Sequence, residues 1–156
     1  MLMTNLNKLG GLSRKDRILL FQSVLLLPVI HVALVLLGYY RLRGAMEKLI
    51  PLKPSDGHVS ETEILGRARE IARIVSIAAG HGLYKPTCLR RSLLVWWFLH
   101  RQGIKSSICF GVRMSDRQLE AHAWVEYNGS VVNDSANVNE HYEALNDVLP
   151  STRWGL

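Results

Sequence analysis

The chain has 156 residues, 48% apolar and 21% charged, which is enough apolar material to bury one core and too little charge for a disordered polymer. Its formal charge of +6 belongs to the front: residues 1–57 carry 8 basic and 3 acidic side chains, whereas residues 58–156 carry 11 and 10. That basic excess flanks an apolar run, so it points to an anionic membrane surface or an acidic peptide. It does not point to a nucleic-acid groove, and no nucleic-acid motif, P-loop or structural-zinc spacing is present.

From Ile18 to Tyr40 no residue is charged, which meets the length of a membrane-spanning helix. Pro28 interrupts the run, and basic residues stand at both ends (Arg14, Lys15 and Arg17, then Arg41, Arg43 and Lys48), so charge asymmetry selects no orientation. Lys15 and Asp16, then Gln22 and Ser23, recur seven residues apart as a polar stripe. The expectation is two helices bent at Pro28 that pack on the domain or on a partner, leaving at most peripheral membrane contact, with membrane insertion or surface attachment of the run as the alternative. Ile50 to Gly57, with two prolines and a glycine, reads as a linker, dividing the chain into a helical front at 1–57 and a domain at 58–156.

Ser60 and Glu63 make a capping-box pattern, followed by Ile64, Ala68, Ile71, Ala72, Val75 and Ala79 at helical spacing. This predicts a helix over 61–79 that ends at Gly80 and Gly82. A second helix follows from Cys88 to Gln102 and stops at Gly103. Its middle is apolar on every side, as a buried helix requires. Lys105 to Arg113, Ala121 to Tyr127 and Ser130 to Asp134 read as strands, with Asn128-Gly129 as a hairpin turn between the last two. Helices followed by an antiparallel sheet define an α+β domain.

Cys88 and Cys109 stand far apart, without a C-x-x-C pair, disulfide-framework spacing or a small-residue signal cleavage site, which suits a reducing cytoplasm. Cys88 opens a helix just after Pro86 and Thr87, with Arg90 and Arg91 in the first turn, where the helix dipole and unsatisfied N–H groups favour a thiolate. Cys109, in Ile108-Cys109-Phe110, reads as a buried inert thiol. A nucleophilic thiolate needs a base, and the base needs an acceptor on its other ring nitrogen. His122 starts one hairpin strand and Asp134 closes the other, opposite the neighbourhood of Ala123. His58 and His81 in loops, His100 at the far end of the nucleophile helix and His141 in the polar C-terminal tail are worse placed. No metal or other cofactor is expected.

Three blocks together resemble the lasso-peptide biosynthesis B proteins, which are leader peptidases of the transglutaminase-like cysteine peptidase superfamily. They are Cys88-Leu89-Arg90-Arg91-Ser92-Leu93, then Gly103-Ile104 with Ile108 to Arg113, and Ala121-His122-Ala123-Trp124-Val125-Glu126 with Gly129 and Asp134. The resemblance spans roughly residues 60 to 135, with 34 residues from Cys88 to His122 and 12 from His122 to Asp134. It implies a papain/transglutaminase-like core, a nucleophile helix packed on a small antiparallel sheet, behind the apolar helical front. It also implies Cys88 as nucleophile, His122 as general base and acid, and Asp134 as its orienter. Trp124, Arg91 and Ala123 become candidates for the substrate site, with the Cys88 N–H and Trp124 as candidates for holding the oxyanion. The implied reaction removes the leader of a ribosomally made precursor, after which an asparagine-synthetase-like cyclase closes a macrolactam. Leader recognition in that family uses a small winged-helix element, for which the front is too short and too apolar, so a separate recognition protein is expected. The same triad would also serve a transglutaminase that passes the acyl group to an amine, and a non-catalytic scaffold that holds the precursor is the reading from another class.

Overall fold

The computed structural model describes residues 13–50, 59–81, 85–115 and 118–145. The proposed linker, apart from Ile50, and Gly82 lie outside the described residues.

Helix α1 (Arg14–Lys48) begins at Ser13, whose hydroxyl accepts from the Asp16 N–H and donates to the Asp16 carboxylate. Its path breaks at Gly38 (φ 74°, ψ 170°) and not at Pro28, which stays within the helix. Only glycine populates that backbone region readily. The expected bend at Pro28 is therefore corrected to a break ten residues later.

The members of the polar stripe do not share one environment: Lys15 is exposed, whereas Asp16 and Ser23 turn towards the domain. Ser23 is fully buried and donates to the Leu19 carbonyl, and Asp16 pairs with Arg67 of the next helix. These residues lie on the side where Leu19, Leu27 and Ile30 pack on the domain. Asp16 and Ser23 face inward because each finds a partner there, which removes the cost of burial.

Helix α2 (Glu61–His81) starts with the predicted reciprocal cap: the Ser60 N–H donates to Glu63 and the Glu63 N–H to the Ser60 hydroxyl. It runs through Gly80 instead of ending there. Ala68, Ile71, Ala72, Val75 and Ala79 all face the core. Helix α3 (Cys88–Arg101) is the centre of the molecule, with Ser92 to Trp96, Phe98 and Leu99 all buried against α1, α2 and the sheet. Since α1, α2 and α3 share one core, the front is packed on the domain.

The sheet has the order β3-β2-β1-β4 and all its pairs are antiparallel. Strand β1 (Ser107–Ser115) pairs with β2 (Gln118–Tyr127) along its whole length, placing Gly111 opposite His122 and Cys109 opposite Trp124. The turn after β2 has positive φ at both Asn128 (46°) and Gly129 (76°), as the sequence pair predicts for a tight hairpin. Strand β3 is only Ser130–Val131, so the predicted strand to Asp134 is cut short. Two further elements were not expected: strand β4 (Glu143–Ala144) extends the sheet beside β1, and a short helix α4 (Val138–His141) packs on the second sheet face. There Cys109, Trp124, Val131 and Val138 form a small separate core.

Candidate active site

His122 lies on β2 and its Nε2–H donates to Asp134 Oδ2 at 2.6 Å. That bond fixes the imidazole's orientation and leaves Nδ1 as the nitrogen available to exchange a proton. The other Asp134 oxygen accepts from the Ser135 N–H at 2.8 Å, so the same carboxylate caps its own turn and holds the ring. Asp134 reaches His122 from the bend after β3. The strand ends at Val131, while Val132 still donates its N–H to the Val125 carbonyl.

Cys88 is the first residue of α3 and is half-buried, and its thiol is free of any disulfide. The residue before it, Thr87, is extended (φ −67°, ψ 163°) and its hydroxyl makes no capping bond. The opening N–H groups of α3 are therefore not claimed by that side chain, and groups of this kind attract negative charge.

The alignment of α3 with the sheet comes from a buried polar node that the sequence reading missed. Ser92, one turn beyond Cys88 and fully buried, donates its hydroxyl to the Ala123 carbonyl at 3.0 Å and accepts from Asn133 Nδ2 at 2.9 Å. Asn133 Oδ1 in turn accepts from the Val125 N–H at 2.7 Å. Each member adjoins one residue of interest: Ser92 the Cys88 turn, Ala123 the neighbouring His122, and Asn133 the neighbouring Asp134. Because β3 stops at Val131, the β2 edge offers Ala123 and Val125 backbone groups to side chains instead of to another strand. The available signal was Ser92 itself, the small polar residue between the Arg90-Arg91 pair and the apolar run that starts at Leu93.

Two aromatic rings lie nearly parallel to the His122 imidazole. Tyr142 is at 4.9 Å between centroids (24°) and Trp124 at 6.2 Å (23°). Gly111 allows this arrangement, because a Cβ there would fall 2.8 Å from Tyr142 Cβ and 2.9 Å from the Trp124 ring. The Trp124 indole N–H donates to Glu126, which Asn139 also contacts. Beside Tyr142 runs a groove of about 440 Å³ lined in part by Arg113, Met114, Leu119 and Glu143, with Met114 and Leu119 paired across the hairpin and both well exposed.

The three substrate-site candidates sit in different surroundings. Ala123 and Trp124 are 3% and 1% exposed and offer no open surface; Ala123 contributes its carbonyl, and the Trp124 donor is committed to Glu126. Arg91 is half-buried with Nε enclosed and without a hydrogen-bond acceptor, and it makes no ion pair with Asp134 among the described residues. Of the other histidines, His81 meets the Ile77 carbonyl and His100 the Ser106 main chain, so both have structural partners. Among the described residues no group of three or more His, Cys, Asp or Glu side chains could hold a metal ion.

A family model described as Transglut_core3, transglutaminase-like superfamily, matches residues 30–147, more than half of the chain. The matched span starts within α1 and takes in α2, α3 and the whole sheet. No curated protein and no solved structure matches the chain.

Proposed function

The chain belongs to the transglutaminase-like superfamily, and from that premise we propose that it is a cytoplasmic cysteine peptidase that removes the leader from a lasso-peptide precursor. It acts with a separate leader-recognition protein and an asparagine-synthetase-like cyclase. The observation that carries the reading is the His122–Asp134 bond on a strand that Ser92 ties to the helix opened by Cys88. An oriented imidazole and a helix-end cysteine, held by one buried node, are the parts that nucleophilic acyl transfer requires.

In this mechanism Nδ1 of His122 takes the Cys88 thiol proton, and Sγ attacks the carbonyl carbon of the last leader residue. The oxyanion is met by the N–H groups at the start of α3, with the Cys88 N–H foremost. Collapse breaks the C–N bond, and the His122 imidazolium gives its proton to the departing core amine. The leader remains as a thioester on Cys88. Water, deprotonated by Nδ1, then attacks that thioester; the leader leaves as a carboxylic acid and Cys88 regains its proton. Asp134 compensates the imidazolium charge throughout. The freed core amine is the nucleophile that macrolactam closure needs. The groove beside Tyr142, the residue stacked on His122, gives an extended peptide a place to run past the Arg113–Met114 end of β1.

Incubation of the chain with precursor, recognition protein and cyclase, each omitted in turn, tests the reading by mass spectrometry. Hydrolysis adds the mass of water across the leader–core bond, whereas transamidation releases ammonia. Efficient cleavage only with the recognition protein supports the assignment. Ammonia loss would move the protein to the acyltransferase side of its superfamily, and processing that survives Cys88→Ala would make it a scaffold.

A further inference from the structure

Helix α1 turns one side to the domain and leaves the other uncovered. From Ile18 to Leu37 every exposed residue is apolar, with Phe21 at 65% and Leu36 at 75% exposure. Ile18, Phe21, Leu25, Val29, Val32 and Leu36 recur at spacings of three and four and form one continuous stripe, with exposed Arg14 one turn ahead of it. At about 1.5 Å per residue this stripe is roughly 27 Å long. Only 22% of the most apolar 18-residue stretch is buried in the protein, so α1 is not an ordinary core helix.

We propose that this face seats the protein on an anionic membrane surface, with α1 lying in the plane of the bilayer and the sheet and its site held away from it. Composition favours lipid over a protein partner. Protein interfaces carry about one hydrogen bond per 100–200 Å², whereas the exposed side chains from Ile18 to Leu37 include no donor or acceptor. Exposed Arg14, Lys15 and Arg17 at one end and Arg41 and Lys48 at the other supply the charge that anionic headgroups attract. The in-plane orientation follows from attachment along the length of the helix. Asp16 pairs with Arg67 at its start, Leu19, Leu27 and Ile30 pack in the shared core, and Arg43 lies over the Trp96 ring 5.4 Å from its centroid. A crossing orientation would carry the part of the domain packed along Leu19, Leu27 and Ile30 into the hydrocarbon, where its polar and ionised groups are costly.

The test is sedimentation of the full chain, diluted from mild detergent, with vesicles of phosphatidylglycerol and phosphatidylcholine in equal parts, and with phosphatidylcholine alone. Binding to the anionic vesicles, weakened by salt, is expected. Phe21→Glu with Leu36→Glu should lower partitioning about tenfold or more while circular dichroism stays unchanged, since both positions are exposed. Orientation is read from a fluorophore at Ile18→Cys, Val29→Cys or Leu36→Cys in a Cys88→Ala background, quenched by lipids labelled at known depth. Equal shallow depth at all three supports the in-plane seat, and a deep Val29 flanked by shallow ends overturns it. Absence of vesicle binding, or self-association that the double variant abolishes, would assign the face to a protein partner or a second copy and overturn the proposal.

Discussion

The Asn133 side chain donates through Nδ2 to the Ser92 hydroxyl at 2.9 Å, joining the helix of Cys88 to the residue beside Asp134. Ser92 passes the link on to the Ala123 carbonyl, next to His122. One buried hydroxyl thus spans the three segments that the proposed acyl transfer needs in register, and positioning errors of about 1 Å can cost roughly a hundredfold in rate.

Ser92→Ala strands the Asn133 amide and the Ala123 carbonyl, which should cost about 1–3 kcal/mol of stability. Cleavage should slow chiefly in kcat, with KM for the precursor little changed, because the node touches no substrate. Thermal denaturation paired with steady-state kinetics checks both parts, and a change confined to KM would contradict the positioning role.

Gly111→Ala would push its Cβ into Tyr142 and Trp124, the two rings beside His122. Overpacking of this kind costs about 1–3 kcal/mol. The expected signature is an activity loss larger than the stability loss, measured by cleavage rate against melting temperature, since the displaced rings adjoin the imidazole.

How far the sequence could be read depended on whether a feature was local. The Ser60–Glu63 cap and the Asn128–Gly129 turn are set by residues in contact along the chain, and both stand as expected. The apolar core of α3 was legible for the same reason. Strand β4 and helix α4 were not, because two and four residues carry no periodic signal and β4 is specified by pairing with Gly111 and Val112, over thirty residues earlier. Asp134 was singled out from its motif, but its route to His122, through a bend after a two-residue strand, depends on Asn133 and Ser92. In α1 the polar residues were visible while their direction was not. Ser23 satisfies itself on Leu19 and Asp16 finds Arg67, so these two turn inward while Lys15 stays exposed.

The break in α1 gives a direct comparison. Gly38→Ala should destabilise the protein by about 1–3 kcal/mol, since φ 74° with ψ 170° is strained for any side chain although nothing lies within 4 Å of a Cβ there. Pro28→Ala should be neutral or better, as it restores an N–H to a continuous helical path. Denaturant unfolding of the two variants checks the contrast; equal costs would argue against the break at Gly38.

The Ser13 hydroxyl, aided by Arg67, holds the Asp16 carboxyl below its usual range. A carboxyl with a lowered folded-state pKa contributes stability that is fully present above its unfolded value, about 3.9, and lost as pH falls through the folded value. Melting temperatures of wild type and Asp16→Asn should therefore converge below about pH 4 and separate at neutral pH. The neutral difference should be about 1 kcal/mol or less, because the Asp16–Arg67 pair is partly open to solvent. A difference independent of pH would rule out the ionised carboxylate as its source.

The most direct measurement is intact mass analysis of the precursor after incubation with its recognition protein and wild-type, Cys88→Ala, His122→Ala or Asp134→Asn chain. Wild type should release a leader ending in a carboxylic acid and a core with a new amine. Cys88→Ala and His122→Ala should leave the precursor whole while remaining folded, and Asp134→Asn should cleave far more slowly. Continued release of leader by Cys88→Ala, with Cys109 instead of Cys88 carrying an iodoacetamide label in the wild type, would contradict the account.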